Sequence, residues 1–290
     1  MSTIRRLARK IRTRIPIPRR RRFHAYGIGP AKTGTTSLYA IFDANFRAAH
    51  EPARESLIEM FQRDEAGRVS REELIAFLRR RDRRLQLEMD SSALNRRYAA
   101  LTAELFPASK FIMTVRDPYT RTDSLINHLL SNPLQGLGLE RANRLFGADR
   151  YRHAPQEQVL REKGLHTLDG YLADYANATL ATIDSLPTER VLVVRTDRLR
   201  NSLAEMAEFL GVPESLLDSR RSHRFRARAK HGILLQIDPD FIEQKVKLHC
   251  GELLRRYFPD IRSIADVRVR LSADSECDEG PFPEDRGKIN

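Results

Sequence analysis

A chain of 290 residues can bury one substantial core, and single α/β domains commonly reach this size. Its formal net charge is +12, but ten basic residues and no acidic ones fall in residues 1–22, leaving only +2 for the remainder. Two oddly placed cysteines and no apolar run of roughly 18–20 residues speak against a disulfide framework, a four-ligand zinc site and a membrane helix.

Residues 1–22 read as a basic, disordered arm without the apolar centre of a signal peptide, so a soluble, cytoplasmic protein is expected. Cys250 and Cys277 suit a reducing compartment. The arm's charge could draw it to the periphery of an anionic membrane, at about 1 kcal/mol per basic residue near the surface. Because Arg outnumbers Lys along the whole chain, a solvating tail is the simpler reading. Nucleic acid is not an expected partner, since the charge lies in the arm and not on a folded surface with interleaved aromatics.

In chain order, residues 24–29 form a short apolar and aromatic run ending in glycine, and residues 35–47 read as a helix. Residues 50–82 form a helical excursion whose second helix opens on a capping-box spacing, Ser70 with Glu73. A calcium loop around Gly67 is rejected because its first and fifth ligand positions would be Gln62 and Ala66. Residues 84–88 alternate like a strand, 95–106 read as a helix and 110–115 as a buried strand. A helix follows Asp117-Pro118, and residues 131–165 lack periodicity and are expected to form a lid or insertion. Residues 168–186 read as a helix, 190–194 as a strand, 203–210 as a helix closed by Gly211, and 241–257 as a last helix. One domain over residues 23–260, with a disordered tail at 272–290, is therefore expected. Repeated strand–helix units imply an α/β three-layer sandwich with a central, mainly parallel sheet.

Pro30-Ala31-Lys32-Thr33-Gly34-Thr35-Thr36-Ser37 follows a strand and opens a helix, which aims backbone N–H groups and the helix dipole at one anion. In a nucleoside-triphosphate loop the second glycine is followed by Lys; here Gly34 is followed by Thr35 and the lysine comes earlier. That placement suits the bridging oxygen of an anhydride other than ATP. A second motif, Arg116 at a strand end with Ser124 eight residues on, supplies a planar two-pronged donor and a hydroxyl suited to a phosphate.

The two motifs, in this order and each after a strand, resemble those of the PAPS-dependent sulfotransferases (PAPS is 3'-phosphoadenosine-5'-phosphosulfate), in the carbohydrate and bacterial-type branch. The chain has no Trp, unlike the phenol and steroid branch. The resemblance implies a P-loop-like sulfotransferase fold, PAPS as cosubstrate with 3',5'-adenosine bisphosphate (PAP) as product, and no metal. It implies an acceptor that is a small molecule or a glycan, carrying the hydroxyl that is sulfated. Residues 30–37 would hold the 5'-phosphosulfate, and Arg116 and Ser124 the 3'-phosphate. Arg226, Arg228 and Lys230 are further phosphate candidates, equally readable as a solvated basic loop.

Lys32 would stabilise charge growing on the leaving oxygen. The resemblance implies a carboxylate base at a strand end, for which Glu88 is the first candidate and Asp90 the second. His128 and His153 are outside candidates. Rival readings are a P-loop kinase, which predicts Lys at position 35, and a non-enzymatic nucleotide- or membrane-binding protein.

Overall fold

The structure is a computed structural model that describes residues 20–218, 220 and 230–272. Arg226, Arg228 and Cys277 lie outside the described residues, as do residues 1–19 of the arm and 273–290 of the tail. Five short strands, β1 (Ala25–Gly27), β2 (Ala48–His50), β3 (Met89–Ser91), β4 (Lys110–Val115) and β5 (Val191–Arg195), form one parallel sheet. Their order is β2-β3-β1-β4-β5. After β1 the chain builds toward one edge and after β3 toward the other, so the C-terminal ends of β1 and β4 flank a topological switch point, where open α/β sheets bind ligands.

Side chains alternate across the sheet as the strand period requires. Tyr26, Phe111, Met113 and Val115 enter a core shared with α5 (Pro118–Ser131), α8 (Leu168–Asp184) and α10 (Pro239–Tyr257). Ala25, Met89, Ile112 and Val194 face α1 (Thr35–Phe42) and α9 (Leu203–Leu210). Helices on both faces make the three layers. The hairpin of α2 (Arg54–Glu65) and α3 (Arg71–Leu85) carries its own apolar cluster with Tyr98 and with Leu101 of α4 (Ala99–Leu105). Ser70 closes the capping box on α3, accepting from Glu73 N at 3.2 Å while Ser70 N donates to Glu73 Oε2 at 2.9 Å. Among the described residues no helix is long and apolar enough to cross a membrane.

Four segments differ from the sequence expectation. Helix α1 ends at Phe42, and the edge strand β2, only half-buried, follows it. Residues 131–165, expected to lack periodicity, contain regular structure. They hold α6 (Gly136–Leu145) and α7 (Gln158–Glu162), and Ala142, Phe146, Leu160 and Leu165 enter the main core. At the far end α11 (Arg268–Ser272) extends the domain beyond residue 260, with Ile264, Val267 and Leu271 buried. At the near end Arg21 and Arg22 belong to the domain, with Arg21 Nη2 2.7 Å from Asp82 Oδ1.

The fourth difference displaces both carboxylate candidates. Residues 84 and 85 close α3, Gln86 turns left-handed (φ 47°), and the strand is Met89–Ser91. Glu88 therefore precedes β3, at the N-terminal edge of the sheet, whereas the phosphate loop lies at the C-terminal edge. It is fully buried and accepts from Arg22 N and Nε (both 3.0 Å) and Arg47 N (2.9 Å). Burial pushes this carboxyl up, but the Arg22 side chain and backbone, the Arg47 backbone and the Arg47 charge outweigh it and hold it at about 2. Glu88 is a fold anchor, not a base. Asp90, in mid-strand and 4 % exposed, is held by Arg81 Nη1 and by Asn95 Nδ2 (3.0 Å). Removing one partner of such a buried pair costs about 3–5 kcal/mol.

Glu88's stabilisation is complete above its unfolded value of 4.5 and is lost as pH falls through about 2. Glu88→Gln is thus expected to cost about 2–3 kcal/mol at pH 7. Unfolding midpoints at pH 7 and pH 3 check this: the deficit should shrink at pH 3, and turnover below the transition should be unchanged.

Candidate active site

Two constraints force the path of the loop after β1. A Cβ on Gly29 would overlap Thr114 Oγ1 and lie 2.6 Å from Thr33 Oγ1, so only glycine lets the loop lie against the end of β4. Lys32 (φ 71°) and Gly34 (φ 96°) are both left-handed and bracket Thr33. Thr33 is fully buried; its hydroxyl donates to the Pro30 carbonyl (2.7 Å) and lies 2.9 Å from Thr114 Oγ1. With Thr33 pinned from below, the loop curls over and α1 begins at Thr35. The first-turn N–H groups of α1, at Thr35, Thr36 and Ser37, have no intrahelical acceptors and form a ready anion site.

Across the switch point, Arg116 follows β4 immediately. Asp117 caps α5, accepting from Thr120 N at 2.8 Å, with Pro118 in the first turn. Arg116 Nε donates to Thr120 Oγ1 at 2.9 Å. Ser124 lies two turns along α5, and its hydroxyl makes no hydrogen bond among the described residues. Burial pulls the Arg116 guanidinium below its usual range, and Arg270 adds to this against Asp117 and Asp123. Lys32 is lowered too, by burial first and then by Arg116. Two cations thus share one cleft, and among the described residues neither has an ion-pair partner. Burial of two like charges is costly unless an anion joins them.

Lys230 belongs to the same region: its charge acts on Asp123, as does that of Arg116, and its Nζ donates to the Arg270 carbonyl at 2.8 Å. Arg270, absent from the sequence expectation, pairs with Asp197 (3.2 Å) while facing Arg116 electrostatically. In an Arg-rich chain nothing in the sequence marks it out.

On the other flank stands His50, also missed, at the C-terminal end of β2. Its Nε2 lies 3.2 Å from both Thr35 Oγ1 and Thr36 Oγ1. Burial lowers its pKa, while Glu51 and Asp90 raise it in part. Glu51 is paired with Arg54 at 3.0 Å. His128 on α5 is lowered by burial and then by Lys32, which places it at the same mouth. His153 is elsewhere, with Nε2 3.0 Å from the Leu165 carbonyl oxygen. The structure therefore brings residues 30–37, Arg116, Ser124, Lys230 and His128 to one edge of the sheet, adds His50, Glu51 and Arg270, and leaves Glu88 and His153 out, while Asp90, tied to Arg81 and Asn95, reaches the site only through its charge on His50.

The arrangement suits an elongated dianionic ligand with one phosphate on the loop and a second at Arg116. No family model matches the chain, and no curated protein matches it by sequence. Among solved structures, the crystal structure of a sulfotransferase from Alicyclobacillus acidocaldarius is similar to it at 19% identity, over 87% of this chain and 96% of that one, with a TM-score of 0.45.

Proposed function

We propose that this protein transfers a sulfuryl group from PAPS to an acceptor hydroxyl. The observation that carries the reading is the pair of buried cations, Lys32 and Arg116, which have no close ion pair among the described residues and face one cleft from the two sides of the switch point. A ligand with one phosphate would satisfy only one of them. The loop also fits poorly with ATP, because Thr35 stands where a kinase lysine would.

When bound, PAPS supplies an activated sulfuryl group on its 5'-phosphate and a 3'-phosphate as a handle. The amides of Thr35, Thr36 and Ser37, with the loop hydroxyls, would hold the 5' end. Lys32 Nζ, on the crest of the loop, would oppose the charge that grows on the oxygen leaving sulfur. Arg116 and Ser124, with Lys230 and Arg270 behind them, would hold the 3'-phosphate. As the acceptor oxygen bonds to sulfur its proton must leave, and His50, an imidazole kept neutral by burial beside the loop, is the base we assign.

The acceptor we propose is a carbohydrate or lipid-linked glycan hydroxyl. Leu134, between α5 and α6, and Leu137 and Leu139 at the start of α6 are 38, 62 and 41 % exposed and would suit an apolar portion. The basic arm would then hold the protein at an anionic membrane surface.

Calorimetric titration with 3',5'-adenosine bisphosphate, AMP and ATP with magnesium tests the reading without an acceptor. Selective bisphosphate binding is expected, weakened about 10–100-fold by Arg116→Ala, the cost of about 1.5–3 kcal/mol for a charged hydrogen bond. Preference for ATP would replace this function with a kinase.

A further inference from the structure

The loop after β1 and the Arg116 segment meet beneath the cleft on one buried pair of side chains. The Tyr175 hydroxyl, on α8, accepts from Arg116 N at 2.9 Å and donates to the Arg116 carbonyl, so one side chain occupies both backbone groups of that residue. Arg121, on α5, lies with its guanidinium 4.7 Å from the Tyr175 ring centre. It donates through Nη1 to the Tyr171 carbonyl (3.0 Å) and through Nε toward the Ala31 carbonyl of the loop (3.4 Å). Tyr175 is 0 % and Arg121 2 % exposed, so neither is open to a ligand.

A guanidinium so enclosed is expensive, and an apolar side chain would fill the volume at lower cost. The carboxylate that acts on it most, Asp174, is shared with Arg96 at 3.6 Å. What an apolar residue could not do is bind the loop carbonyl and stack on the ring that holds Arg116. A second tie works from the other side, where the Thr196 hydroxyl meets the carbonyls of Thr33 and Val115.

We propose that Arg121 and Tyr175 are positioning residues that lock the phosphate loop to the Arg116 backbone, fixing the spacing between the 5'- and 3'-phosphate positions before the nucleotide arrives. Selectivity for a nucleoside 3',5'-bisphosphate then comes from preorganised spacing as well as from the charges themselves. This rests on the nucleotide reading above.

The test compares Tyr175→Phe with Tyr171→Phe, which removes another buried hydroxyl one turn away. The Tyr171 hydroxyl accepts from His166 N (3.0 Å) and does not touch Arg116. Affinities for 3',5'-adenosine bisphosphate and for 5'-AMP are measured by calorimetry. Tyr175→Phe should cut the bisphosphate preference about tenfold, the worth of one buried hydrogen bond, with AMP affinity little changed. Tyr171→Phe should lower the unfolding midpoint and leave the preference alone. An unchanged preference in Tyr175→Phe, or an equal fall in both variants, overturns the proposal while the nucleotide reading stands. A wild type that binds both ligands equally removes that reading and the proposal with it. Should Tyr175→Phe fail to fold, hydrogen exchange on the wild type decides: bisphosphate but not AMP should slow exchange in residues 171–178, and equal slowing, or none, overturns the proposal.

Discussion

Lys32→Ala is expected to lower turnover by about 10²–10³-fold or more, the usual cost of removing one preorganised donor from a developing negative charge. The effect should fall on the chemical step. The 5'-phosphate keeps the amides of the first turn of α1, and the 3'-phosphate keeps Arg116, so 3',5'-adenosine bisphosphate should bind within about tenfold of wild type. The pH dependence carries a second signature. Burial and Arg116 hold Lys32 below its ordinary 10.5. Activity that needs the protonated amine should therefore fall as pH rises through that depressed value. Release of bisphosphate from PAPS, followed with sugar and phenolic alcohols as probe acceptors, reads both effects. Loss of binding in parallel with loss of rate would make Lys32 a ground-state anchor and remove it from the chemical step.

What the sequence made legible, and what it hid, divides along physical lines. The loop at 30–37 and the Arg116 motif were readable because each has a local cause: glycines where only glycine fits, a lysine in the turn, an arginine directly after a buried apolar run. Strand β4 announces itself with five buried residues of six. β3 does not, because its middle residue is Asp90, whose burial is made tolerable by Arg81, nine residues away in sequence. The alternation at 84–88 looked like that strand and is the last two residues of α3 with the turn that follows. Once the strand moves, Glu88 moves to the opposite edge of the sheet, and its role changes from base to anchor. β2 escaped notice because it is three residues long, at an edge and half-buried. His50 escaped with it.

Residue classes behaved differently too. Glycine and proline act through their own backbone, so Gly34 and Pro118 could be placed from local sequence. Tyr175 and Arg121 act through partners 59 and 90 residues distant. Their isolated sequence positions are those of ordinary helix residues, and only the packing of α5 against α8 gives them a task.

The second large effect is expected at His50. Its Nε2 stands 3.2 Å from two loop hydroxyls, and burial sets its pKa below 6.5, so the imidazole is neutral at pH 7 and able to take a proton. Catalysis needs that neutral form, so the rate should fall as pH drops through the depressed value, giving an acid limb below pH 6.5. His50→Gln should lower the plateau by about 10²–10⁴-fold and abolish the limb. Glu51 raises the His50 pKa, so Glu51→Gln should keep the plateau and move the limb to still lower pH. His128 answers to Lys32 as well as to Glu51, and His128→Gln should leave both plateau and limb in place. The three pH–rate profiles separate the alternatives. A plateau lost in Glu51→Gln and kept in His50→Gln would transfer the role to the carboxylate. The reverse pattern, with the limb shifted downward in Glu51→Gln, assigns proton removal to His50 and gives Glu51 the work of tuning it.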